Sequence, residues 1–234
     1  EPAAKNGKGY ISVVNEDGTV VHPKWITGLH APKGLGIYGN KLFIADIDQV
    51  VVANVQTGRI IRKYRAEGAT FLNDVEIGID GTVYITDTFG GNAIYRIKNG
   101  KITQWLKDEA LNYPNGLKLS GNNLYVATWG VVTNPKTFET ETPGRLLVVD
   151  VKQRRIKNIT TPIGNLDGLV TVGDSFLVSD WISGGLISIK KSGEAKKVKD
   201  LNAGSADIMY VKDKNVIIVP QMLDGTLVAC KLTE

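Results

Sequence analysis

Four polar pairs and one single position recur along the chain: Lys33-Gly34, Asn73-Asp74, Asn115-Gly116, Asp167-Gly168 and Asp207. Amide and carboxylate oxygens drawn from several segments to one point make a site for a hard cation. Calcium or magnesium suits such a donor set better than a transition metal. The other reading is that Asn and Asp before Gly build turns between elements. Turn residues can vary freely, whereas these polar positions keep a common period, and that favours a site. Other chemistries have less support. His22 and His30 are the only histidines, so a histidine metal cage is excluded by count, and no serine has the context of an activated nucleophile. Gly34-Leu-Gly36-Ile-Tyr-Gly39 has the letters of a dinucleotide motif, but a β-rich run follows it instead of the helix that would hold a pyrophosphate.

The elements that must position these residues are short and β-branched. Lys41–Asp46, Thr82–Asp87, Asn123–Thr128 and Ser175–Asp180 are near copies of one strand, with Asn215–Gln221 a weaker fifth. Aligning Asp46, Asp87, Thr128, Asp180 and Gln221 gives intervals of 41, 41, 52 and 41 residues. A repeat of that length, reading as four strands separated by Gly, Asn and Asp turns, is one blade of a β-propeller. The carboxylates that end these second strands read as turn caps. The first thirty residues supply only a third and a fourth strand, and the period places another inner strand about eight residues before Glu1. The expected fold is therefore all-β, a single six-bladed propeller spanning residues 1–234, with its first blade lacking its inner strands. A five-bladed ring closed by residues 19–26 is the alternative. The long interval comes from Val131–Gly144, between the second and third strands of its blade. It reads either as a lid or as a plain surface excursion.

Composition excludes other classes. The 234 residues are 42% hydrophobic and 22% charged, which is globular usage, and no apolar run reaches membrane-spanning length. The opening Glu1-Pro2-Ala3-Ala4-Lys5 does not read as a secretory signal. Cys230, the single cysteine, excludes an internal disulfide and leaves the redox compartment open. The net charge of +4 is a mild excess, and its densest stretch, Lys190–Lys199, carries no aromatic side chain. It reads as a solvated hairpin, not a nucleic-acid surface. The expected partner is a small molecule bound by a monomer, with neither nucleic acid nor membrane involved.

Phe71-Leu-Asn73-Asp74-Val75, Tyr113-Pro-Asn115-Gly116-Leu117 and Asn165-Leu-Asp167-Gly168-Leu169, at blade spacing, resemble the SMP-30/gluconolactonase/luciferin-regenerating-enzyme-like family. The resemblance runs from Gly9 onward and implies a six-bladed propeller with one divalent cation. Calcium is the first choice, with magnesium, manganese and zinc as alternatives. It implies Asn73, Asn115 and Asp167 as metal ligands, with a glutamate from the first blade's inner strand completing the set. The family often has an arginine two positions before the Asn-Asp pair. Here that position is Phe71, which points to a less polar substrate. The implied activity is a metal-dependent hydrolase of a lactone or ester. The cation would polarise the carbonyl, and a carboxylate, Asp167 first and Asp74 or Asp207 next, would activate water. Phe89, Trp129 and Trp181, in the loops after second strands, would join Phe71 as substrate-binding walls. The competing expectation is a non-catalytic propeller of the NHL type that binds a ligand or protein on its top face.

Overall fold

The computed structural model describes residues 2–134 and 137–232, so Pro135 and Lys136, at the tip of the expected lid, lie outside the described residues. The chain divides into two compact units that meet in sequence at Lys107 and Asp108. In the first unit, β1 (Gly9–Val14) and β2 (Val20–Leu29) form a two-stranded sheet. A four-stranded antiparallel meander follows, made of β3 (Pro32–Tyr38), β4 (Lys41–Asp46), β5 (Gln49–Asn54) and β6 (Ile60–Arg65). The next is β7 (Leu72–Ile77), β8 (Val83–Asp87), β9 (Ala93–Lys98) and β10 (Lys101–Lys107), with one helical turn, α1 (Thr88–Gly91), between β8 and β9.

The second unit repeats the pattern. Its first sheet contains β11 (Pro114–Ser120) and β12 (Asn123–Thr128). The chain then leaves as a separate hairpin, β13 (Gly130–Asn134) and β14 (Glu139–Pro143), before returning as β15 (Leu146–Asp150) and β16 (Ile156–Asn158). β17 (Leu166–Val172), β18 (Ser175–Asp180), β19 (Gly185–Lys190) and β20 (Ala195–Asp200) form the next meander. β21 (Met209–Val211), β22 (Val216–Gln221) and β23 (Thr226–Lys231) form a three-stranded sheet. Among the described residues the expected all-β fold is present, with five blades of three or four strands, the number named by the alternative reading.

The repeat forms blades because of where its apolar residues fall. A strand covered on both faces reads as a continuous apolar run. β8 is buried at all five positions, and β4 is buried from Leu42 to Asp46. Fourth strands such as β6 and β20 are polar and largely exposed. Lys196, Lys197 and Lys199 on β20 deter pairing with another chain at that free edge.

Cores form where one sheet covers the next. Phe43, Val50 and Val52 pack on Leu72, Val75, Ile85 and Tyr95 in the first unit. Ile26 and Leu29 of β2 cover Leu42, Ile44, Val51 and Ala53 in the same manner, so the two-stranded sheet occupies the place of a blade's third and fourth strands. In the second unit, Ala127 and Leu146 meet Leu169, Phe176 and Val178, while Leu177 and Leu186 meet Ile208, Ile217 and Val219.

Candidate functional site

Each inner strand is irregular near its start. The pairing of β3 with β4 steps from Pro32–Asp46 to Leu35–Ile44, and that of β7 with β8 from Leu72–Asp87 to Val75–Ile85. In the second unit, β11 on β12 steps from Pro114–Thr128 to Leu117–Val126, and β17 on β18 from Leu166–Asp180 to Leu169–Val178. In every case two inner-strand residues face one residue of the second strand, which is a β-bulge. The bulged residues are Lys33-Gly34, Asn73-Asp74, Asn115-Gly116 and Asp167-Gly168. Asp207 lies in a similar irregularity, between the Ser205–Gln221 bridge and the Met209–Ile218 pair. The in-register polar positions are therefore not turn residues. They sit where the ladder is interrupted and a side chain can be re-aimed. The hydroxyls opposite two bulges take up freed N–H groups, Asp74 N donating to Thr86 Oγ1 at 3.0 Å and Gly168 N to Ser179 Oγ at 2.9 Å. Those two hydroxyls, Thr86 and Ser179, each just before the carboxylate that ends its strand, are the mark of the bulges in the sequence.

In the second unit the bulges bring neighbouring inner strands into backbone contact. A Cβ on Gly116 would stand 2.1 Å from the Asp167 carbonyl oxygen, and one on Gly168 would stand 2.3 Å from the Ile208 nitrogen. Asn115, Asp167 and Asp207 thus lie on successive inner segments at the same level. Asn115 is buried, while Asp167 and Asp207 are partly exposed. The chain reaches Asn115 through strained backbone, because Asn112 and Tyr113 both have left-handed φ values, of 52° and 62°. Such a conformation costs a bulky residue about 1–3 kcal/mol and persists only where neighbours enforce it. Here Trp129 N and Gly130 N donate to the Tyr113 and Asn112 carbonyls, at 2.9 and 3.3 Å.

Of the expected aromatic walls, Trp129 is a plug. It is 4% exposed, gives its indole N–H to the Phe138 carbonyl at 3.2 Å, and packs 5.7 Å from the half-buried Trp181. Asn165 ties this cluster together by donating to the Trp129 carbonyl at 2.9 Å and to Thr140 Oγ1 at 3.1 Å.

In the first unit, Asn73 gives its amide N–H to Thr88 Oγ1 at 3.1 Å. Asp74 is buried, and its carboxylate accepts from the next backbone N–H, Val75 N, at 2.6 Å. Its Cα and carboxylate also lie against Gly34. Those contacts make Asp74 a brace between β7 and β3, which weakens its candidacy as a base. Phe71 and Phe89, two of the residues expected as walls, meet edge to face with their ring centroids 4.9 Å apart.

A cation nevertheless stands beside Phe71. The Lys33 ammonium sits over the Phe71 ring, 4.1 Å from its centroid, and donates to the Ala31 carbonyl at 3.1 Å. A cation held on a ring face gains about 0.5–2 kcal/mol. Burial has the larger effect on its proton, lowering the Lys33 pKa from 10.5 to about 8, with the Asp46 charge acting in the opposite sense. The sequence marks Lys33 as one of the repeating polar positions, but not its contact with Phe71, because the two residues belong to different blades.

The remaining question is what these residues could hold. Among the described residues no three His, Cys, Asp or Glu side chains gather as a metal cluster. A cation at the bulge level of the second unit would rest on the Asn115 amide oxygen and the Asp167 carboxylate. That donor set fits a hard ion and does not fit zinc.

No family model matches the sequence, and no curated protein matches it. Solved structures do resemble it. A gluconolactonase from Xanthomonas campestris superposes with a TM-score of 0.66 at 16% identity, covering 91% of this chain and 75% of that one. Virginiamycin B lyase from Staphylococcus aureus gives 0.60 at 17% identity, over 87% and 70%. A chain of the nidogen/laminin complex gives 0.68 at 15% identity, over 98% and 92%. One fold here carries a lactonase, a lyase and a member of a protein complex, so it does not by itself choose among functions. What these likenesses establish for this chain is its fold, a β-propeller.

Proposed function

We propose that the protein is a divalent-cation-dependent hydrolase acting on a lactone or ester. The observation that carries this reading is the set of four bulges in register, which turn the same two positions of each inner strand out of the ladder. In the second unit they place Asn115 and Asp167 side by side on adjacent inner strands, with Asp207 next in line. Asn73 joins the set on the family resemblance alone. A bound hard cation would supply Lewis acidity to a carbonyl oxygen. In this reading Asp167, which is partly exposed, orients or deprotonates water, while Asn115 lies between buried neighbours on either side. Among solved structures of this fold, the gluconolactonase supports the substrate class.

The test is a thermal-shift titration with calcium and with magnesium. Saturation at about a hundred times the dissociation constant should stabilise the parent protein by about 2.7 kcal/mol. Asn115→Ala and Asp167→Ala should remove that gain, and both should lose hydrolysis of a panel of sugar and aliphatic lactones. A parent protein indifferent to both cations would sink this reading. The nidogen/laminin likeness would then favour a propeller that binds a macromolecule without catalysis.

A further inference from the structure

Lys33 combines features that a surface lysine lacks. It sits in the bulge of β3, partly buried, with its Nζ over the Phe71 ring at 4.1 Å. Its hydrogen bond goes to the neutral Ala31 carbonyl at 3.1 Å. Carboxylates on the surrounding segments hold other groups: Asp74, against Gly34, accepts from Val75 N. Asp46 accepts from His30 N, Ala31 N and Gln49 Nε2, and Asp87 accepts from Phe71 N and Thr70 N. Beside the ammonium, the Phe71–Phe89 pair offers an apolar platform that is itself only half buried. A lysine in such a place is set up as a nucleophile, since desolvation disfavours its charge and an aromatic wall can hold the apolar part of an incoming molecule.

We propose that Lys33 is a carbonyl-reactive amine which captures small aldehydes, aromatic ones above all, as an imine. The free amine adds its lone pair to the carbonyl carbon, forming the N–C bond, while the carbonyl π pair goes to oxygen and takes up a proton. The carbinolamine then loses water as the C–O bond breaks and the nitrogen gives up its proton, leaving C=N. No oxidant or reductant is consumed. The aldehyde ring rests against Phe71 and Phe89. The chemistry needs no metal ion and stands apart from the hydrolase reading.

Burial lowers the Lys33 pKa to about 8, so about a tenth of it is free amine at pH 7, against about one part in 3,000 for an ordinary lysine near 10.5. Lower basicity gives back part of that advantage, and a gain of about tenfold in rate remains.

The test is benzaldehyde with sodium cyanoborohydride on the full chain at pH 7, with EDTA present so that the outcome is independent of any cation. Adducts are mapped by peptide mass spectrometry. The α-amino group aside, Lys33 should acquire the benzyl group about ten times faster than Lys190 or Lys191, and the preference should shrink when Phe71 is replaced by alanine. Lys33→Arg should lose the fast adduct while keeping the parent's melting temperature. Labelling of Lys33 no faster than those exposed lysines, in the parent protein itself, overturns the proposal.

Discussion

Asp46, Asp87 and Asp180 each end the second strand of a blade and turn a carboxylate back toward the backbone that leads into the same blade's inner strand. Asp46 uses both oxygens, accepting from His30 N, Ala31 N and Gln49 Nε2. Asp180 does likewise, with Asn165 N, Ile182 N, Ser183 N and Ser183 Oγ. Asp87 differs. Its Oδ1 accepts from Phe71 N and Thr70 N, but its buried Oδ2 has no hydrogen-bond partner among the described residues. Burial raises its pKa above 3.8, against the opposing pull of those two N–H groups and of Lys107. A raised folded-state pKa contributes stability that is present below the ordinary carboxylate pKa and lost as pH climbs through the folded value. Asp87→Asn should therefore match or exceed the parent in melting temperature at pH 7 and fall below it at pH 4. Asp180→Asn should cost about 1–3 kcal/mol at pH 7, because a donor amide replaces an oxygen that accepts. Equal losses for the two variants at pH 7 would refute the distinction. The sequence showed that these carboxylates recur and cap, but not which of them lacks a second partner. That depends on whether the next turn offers a Gln or a Ser, as in Gln49 and Ser183, or the Gly90-Gly91 of α1.

At the scale of elements, the bulge decides what the sequence could and could not show. Strand identity was legible, because alternation and apolar runs follow burial directly. The bulges were not anticipated, and the paired residues in them resembled turns because Gly follows Asn or Asp at two of them. Those glycines are retained for close approach. Gly168→Ala should cost about 1–3 kcal/mol in chemical denaturation through a backbone clash at Ile208, whereas Gly91→Ala, with no atom nearer than 3.6 Å and no left-handed backbone, should cost less. The hairpin β13–β14 was legible as an insertion but not as an ordered element. Asn165 fastens it to the blade, since its amide bridges the Trp129 carbonyl and Thr140 Oγ1, and the Trp129 indole adds a bond to the Phe138 carbonyl. Asn165→Ala should lower stability by about 1–3 kcal/mol and speed limited proteolysis within residues 130–143, while leaving the circular-dichroism signature of the sheets intact.

For the molecule as a whole, the period of the sequence carried the fold, since each copy of 41 residues closes a sheet from consecutive strands and needs no distant pairing. Charge is also a whole-molecule property. With a pI of about 9.0 the protein should be least soluble near pH 9 and recover on either side, as a turbidity series across pH would report. The 52-residue interval between Thr128 and Asp180 shows how tolerant this plan is. β12 pairs with β15 across the added hairpin in unbroken register from Asn123–Asp150 to Ala127–Leu146. The passage from second to third strand is thus a splice point, where foreign sequence can be accepted without re-registering the sheet beneath it. A descendant of this chain could acquire a new recognition loop there while inheriting its scaffold unchanged.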